Sequence, residues 1–90
     1  MTAPGLAASD QALALSLRGR EYRHAKRYQQ ALTDCTGALA LDPDLDRAYF
    51  GRGLTHRFLD HYADAVSDLS HAIELSPDDS EYIASRGAAY

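Results

Sequence analysis

Four histidines and a single cysteine are the residues of this chain best suited to metal or nucleophilic chemistry. On a helix such chemistry usually draws on two ligands one turn apart, at i and i+4, so that both reach one point. His24, His56, His61 and His71 contain no such pair, and Cys35 has no base placed to activate it. The spacing therefore predicts no enzyme, no cofactor and no metal site. His56 reads as an aromatic substitute in a core, and Cys35 as a small buried apolar residue.

The arginines are more informative. All nine basic residues fall in three stretches, Arg18–Arg27, Arg47–Arg57 and Arg86, while the stretches between carry acids such as Asp34, Asp64, Asp68 and Glu74. Arg47, Phe50, Leu54 and Arg57 are spaced i, i+3, i+7, i+10, which is one face of a helix. Arg20 and Arg23 take part of the same face earlier in the chain, and Ala84 takes it later. An apolar strip edged by arginines suits an extended or helical peptide bearing acidic residues. The plainer alternative is a solvated face with no ligand.

Composition narrows the class. Ninety residues, 46% apolar and 24% charged, make one small globular unit. The lone Cys35 excludes an internal disulfide framework and a cysteine zinc cage. Residues 1–9 lack the basic flank and apolar run of a secretory signal and read as a flexible arm. No stretch approaches the roughly 20 apolar residues of a membrane span. A cytoplasmic setting without membrane contact follows as the expectation. The net charge of −4 speaks against nucleic acid.

The segments that must position these residues repeat. Sliding 12–45 onto 46–79 without gaps pairs Ala14 with Ala48, Arg18 with Arg52, Gly19 with Gly53, and Arg23 with Arg57. It also pairs Tyr28 with Tyr62, Ala31 with Ala65, Asp34 with Asp68, Ala38 with Ala72, Leu41 with Leu75, Pro43 with Pro77, and Asp44 with Asp78. These 11 identities compare with roughly two or three expected from average composition. A third copy starts at Ser80, with Arg86-Gly87 repeating the Arg-Gly pair and Tyr90 in phase with Tyr22.

Each copy reads as two helices. Tyr28, Ala31, Leu32, Cys35, Ala38 and Leu39 form the apolar stripe of one, matched by Tyr62, Ala65, Val66, Leu69, Ala72 and Ile73. Asp10, Asp44 or Asp46, and Asp79 or Ser80 are suitable N-caps, and Pro43 and Pro77 mark helix ends. Gly19, Gly53 and Gly87 recur in phase although glycine inside a helix costs about 1 kcal/mol relative to alanine. Close helix crossings against Ala31 and Ala65 would require them. Arg18 and Arg52 are expected to pair with Asp34 and Asp68, because half-buried ions need partners.

The pattern Leu15, Gly19, Tyr22, Tyr28, Ala31, Cys35, Ala38, Pro43, then Tyr49, Gly53, His56, Tyr62, Ala65, Leu69, Ala72, Pro77, resembles the tetratricopeptide repeat family. The resemblance covers residues 12–90. It implies an all-α, right-handed solenoid of antiparallel helix pairs, with two full repeats (12–45 and 46–79) and one extra helix (80–90). The first helix of each pair would line a concave, partner-binding face. Chaperone-binding members grip a C-terminal carboxylate with a clamp of Lys, Asn and Arg. The corresponding positions here are Ser16, Arg20, Gly51, Glu81 and Ser85, of which only Arg20 fits, so that ligand is not expected.

Solenoids usually finish with a polar outer face. The last helix instead offers Tyr82, Ile83, Ala89 and Tyr90, which leaves two readings open: a piece of a longer protein, or a helix that stacks on another chain. The second makes a structural homo-oligomer the alternative to a protein- or peptide-binding module.

Overall fold

Alternation of helix-length apolar stripes with Pro-Asp and short polar breaks produces five helices in the computed structural model, which describes residues 7–90. They are α1 (Ala8–His24), α2 (Tyr28–Leu41), α3 (Asp46–Phe58), α4 (Tyr62–Leu75) and α5 (Ser80–Ala89), and there are no strands among the described residues. None is long and apolar enough to cross a membrane. Of the arm expected over residues 1–9, Ala8 and Ser9 instead open α1, and residues 1–6 lie outside the described residues.

The caps divide the expectations. Asp79 is the N-cap of α5 and accepts from the backbone N–H groups of Glu81 and Tyr82. Asp10 and Asp46 lie inside the first turns of α1 and α3, where their charge opposes the positive helix end without capping it. Asp46 has other work: it accepts from Ser76 Oγ at 3.0 Å and from the Tyr82 hydroxyl at 2.8 Å, tying the α4–α5 connection to α3.

Each helix pair turns through one residue in the left-handed region, Lys26 and Asp60, both at φ 63° and 34 residues apart. The Arg27 N–H then returns to the Tyr22 carbonyl, and the His61 N–H to the His56 carbonyl, each at 2.8 Å. These six-to-one bonds satisfy carbonyls left open at the helix end and reverse the chain. The second helix of each pair therefore packs back on the first.

Small residues set how close that packing is. Ala12, Ala31, Ala38, Ala48, Ala65 and Ala72 are all fully buried, and a Cβ added to Gly19 would stand 3.0 Å from Cys35 Sγ and 3.3 Å from the Ala31 carbonyl. α1 packs on α2 and α3 on α4, while α2 meets α3 and α4 meets α5. The first helices also touch in sequence, α1 with α3 and α3 with α5, whereas α2 and α4 do not meet. Helices that converge on one side and spread on the other make that side concave. The result is a helical solenoid, as the repeat requires.

The expected ion pairs form. Arg18 Nε and Nη2 donate to Asp34 at 2.7 and 2.9 Å, and Arg52 makes the same fork to Asp68 at 2.8 and 2.9 Å. Both carboxylates are buried, and these hydrogen bonds raise the pKa of both guanidinium groups. The pairs differ in exposure, since the Arg52 side chain is 24% exposed and that of Arg18 is 61% exposed. Removing the guanidinium from Asp68 strands a buried charge, so Arg52→Met is expected to cost about 1–2 kcal/mol after allowance for solvent screening. Arg18→Met costs less than Arg52→Met. Urea denaturation midpoints of the two variants check the order.

The last helix corrects one expectation. Tyr82 is completely buried and Ala89 is 3% exposed, so neither is free to meet another chain; Ile83 and Tyr90 are exposed. Tyr82 falls 34 residues after Ala48, itself an inward, fully buried position, and Ala89 falls 34 after the buried Thr55. Helical phase decides their direction, and Tyr82 lies against Phe50 with ring centroids 4.7 Å apart.

Candidate binding groove

The concave side holds a cavity of about 470 Å³. α1 contributes Leu13, Ser16, Leu17, Arg20, Arg23 and His24, α3 contributes Arg47, Phe50 and Gly51, and α5 contributes Glu81. Phe50 is the floor: it is only 8% exposed, held between the groove and Tyr82. Gly51 leaves space that a side chain would fill. A Cβ there would stand 3.5 Å from Arg23 Nη1 and 3.3 Å from Cys35 Sγ.

The electrostatics are one-sided. Arg20, Arg23 and Arg47 face a single acid, Glu81. Among the described residues none of the three forms a salt bridge, in contrast to Arg18 and Arg52. Arg23 is half-buried, and loss of solvent lowers its pKa, with the charges of Arg20 and Arg57 adding to the effect. A guanidinium kept partly dry beside other cations is stabilised by an incoming anion. The groove has the chemistry to supply charge-assisted hydrogen bonds to carboxylates above an apolar floor.

Of the seven positions expected on this face, Arg20, Arg23, Arg47 and Phe50 line the cavity together. Leu54, Arg57 and Ala84 do not. Leu54 is drawn against the core around Phe50 and Tyr82, Arg57 sits over the Phe58 ring at 5.6 Å, and Ala84 is exposed outside the cavity. The i, i+3, i+7, i+10 stripe runs the length of α3, but only its first two members, Arg47 and Phe50, line the cavity. Leu17 and His24 are cavity residues that the stripe did not indicate, because they flank the i, i+3, i+7 set on α1.

Cys35 behaves as expected of a small apolar residue. It is 1% exposed, and burial pushes its thiol pKa up to about 11, which keeps it protonated and unreactive. His56 is largely buried, its side chain 16% exposed, in the last turn of α3, with its Nδ1 3.2 Å from His61 Nδ1 and its Nε2 3.8 Å from Asp68 Oδ2. Asp64 completes a group of three whose ligand atoms lie within 4.8 Å of one another.

A pair-by-pair helical solenoid with a groove on its inner side defines a class of repeat scaffold. Residues 12–45 and 46–79 each match a tetratricopeptide repeat model, and the chain belongs to the tetratricopeptide repeat family. No characterised protein is matched by sequence alone. Among solved structures the chain is similar to the Arabidopsis OM64 TPR domain, with 28% identity and a TM-score of 0.85 over 88% of this chain and 65% of that one. It is similar to the second TPR domain of human RPAP3, solved in complex with the HSP70 peptide SGPTIEEVD, with 26% identity and a TM-score of 0.84 over 88% of this chain and 66% of that one. The first TPR of Spaghetti (RPAP3), bound to the HSP90 peptide SRMEEVD, gives 28% identity and a TM-score of 0.85 over 90% of this chain and 66% of that one. The chain thus spans about two thirds of the length of these domains.

Proposed function

We propose that this chain is a non-enzymatic protein-interaction module whose concave groove takes an acidic peptide segment of a partner protein. The observation that carries the reading is the convergence of three unpaired arginines, one of them half-buried, above the apolar floor of Phe50. The neighbouring structures support the ligand class, since both peptides named with them are rich in glutamate near an aspartate end. Ser16, Gly51, Glu81 and Ser85 bring no cation to the positions that grip a chain terminus in chaperone-binding members, which argues for a side-chain carboxylate rather than a terminal one. Partner recognition then rests on acidic side chains and apolar contact, not on the chaperone type of end clamp. A cytoplasmic setting suits the free, protonated thiol of Cys35.

Fluorescence anisotropy tests this with labelled SRMEEVD, prepared once with a free and once with an amidated C-terminus. Both forms are expected to bind with similar affinity. The double variant Arg23→Glu, Arg47→Glu is expected to weaken both by more than about tenfold, at about 1.4 kcal/mol per factor of ten. Affinity unchanged by the double reversal would move the site out of the groove. Binding that depends on the free terminus would overturn the side-chain reading.

A further inference from the structure

The turn between α3 and α4 assembles a second group of chemistry-bearing residues. His56 lies in the last turn of α3, His61 is the N-cap of α4, and Asp64 lies in the first turn of α4. Asp60, in the left-handed region, reverses the chain between them, and the His61 N–H bonds the His56 carbonyl at 2.8 Å. That backbone ring is what brings two imidazoles five residues apart together, tilted 42° to each other with centroids 5.4 Å apart and Nδ1 atoms at 3.2 Å. The i+5 spacing escapes the one-helix rule because the two rings sit on different helices.

We propose that His56 Nδ1, His61 Nδ1 and an Asp64 carboxylate oxygen form a binding site for a divalent transition-metal ion, of which Zn²⁺ is the best fit. Two nitrogens bound to one zinc at about 2.0–2.1 Å and a tetrahedral angle stand about 3.3–3.4 Å apart. The observed 3.2 Å is close to that separation. Imidazole with one carboxylate is a donor set that zinc accepts and that Mg²⁺ and Ca²⁺ do not favour. The Asp64 side chain is exposed and free to swing inward, since all three ligand atoms already lie within 4.8 Å of one another. Three protein ligands leave a fourth position open to water or to a partner's side chain.

The surroundings admit a cation. His56 Nε2 lies 3.8 Å from the buried Asp68 carboxylate, whose negative charge favours a cation on this ring. Arg52 is the nearby positive group, and its charge is taken up by the Asp68 fork. Asp60 already accepts from the Tyr62 hydroxyl at 2.8 Å, so it is not counted as a ligand. The first repeat supplies an internal comparison. The same turn geometry there carries Tyr22, Arg27 and Gln30 at the three positions, with no ligand among them. The site therefore belongs to the second repeat alone, and it shares no residue with the groove.

The full chain, free of any histidine tag, is titrated with Zn²⁺ and with Co²⁺ in a non-coordinating buffer at neutral pH. One equivalent of Zn²⁺ is expected by calorimetry, together with the intense visible absorption of four-coordinate Co²⁺. Nuclear magnetic resonance is expected to place the perturbed imidazoles at positions 56 and 61, leaving 24 and 71 unmoved. His61→Arg and Asp64→Gln restore first-repeat residues and so preserve the fold. Each is expected to weaken Zn²⁺ by more than about tenfold, as does removal of even an orienting partner in known sites, while His24→Gln and His71→Gln leave it unchanged. Absence of saturable binding, or binding that survives His61→Arg, overturns the site. A rise in melting temperature with Zn²⁺ that disappears in Asp64→Gln supports it independently of the spectra.

Discussion

Replacing Tyr82 with alanine is expected to lower the unfolding free energy by about 3–5 kcal/mol, the range seen when a buried aromatic is deleted from a core. Tyr82 is among the largest fully buried side chains among the described residues, and its ring joins Phe50, Leu69 and Ala72 in one cluster. A 90-residue domain has only about 5–15 kcal/mol to lose, so the melting temperature should fall by roughly 12–40 °C. Tyr82→Phe separates the two parts of the effect. It keeps the ring and removes only the hydrogen bond to Asp46, a loss of about 1 kcal/mol. Asp46 is not stranded, because Ser76 still donates to it. Thermal and urea unfolding of both variants provide the check. A loss below about 1 kcal/mol for the alanine variant would mean that α5 unfolds separately from the two complete pairs.

The second large effect is a difference in sign at one repeat position. Gly53 and Gly87 stand in the same phase, 34 residues apart. A Cβ at Gly53 would lie 2.9 Å from Leu69 Cγ and 3.3 Å from the Ala65 carbonyl, and Leu69 is fully buried with nowhere to retreat. Overpacking of this kind costs about 1–3 kcal/mol, against a helix-propensity gain of about 1 kcal/mol. Gly53→Ala is therefore expected to destabilise by up to about 2 kcal/mol net. At Gly87 nothing lies within 4 Å of the added carbon, so Gly87→Ala keeps the propensity gain and stabilises by up to about 1 kcal/mol. The shared propensity gain cancels, so the two variants should differ by the overpacking cost, about 1–3 kcal/mol, in chemical denaturation. Equal effects at both positions would remove the close-crossing explanation of the repeated glycine.

Much of the scaffold was legible before any coordinates. Period, helix count, the Arg–Asp forks and the Gly–Ala crossings all follow from one repeated pattern, because each depends on residues within a single 34-residue unit. The direction of Tyr82 was not legible, because the inward facing of its equivalent, Ala48, is set by the packing of α3 and α5. The groove was half legible. Its arginines and Phe50 share a stripe on α3 and α1, but a stripe records which residues share a face and not where a neighbouring helix stops covering it.

Sequence alone thus determined the repeat, the all-α class and the segregation of arginines to the first helices, since periodicity and composition are properties of the chain itself. The tertiary structure alone decided that Arg20, Arg23 and Arg47 meet over Phe50, while Leu54 and Arg57 fall outside the cavity. It alone brought His56 to within 3.2 Å of His61. The reason is the same in both cases. Helical spacing relates side chains on one helix, whereas these groups belong to different helices, whose approach is set by left-handed turns and glycine crossings.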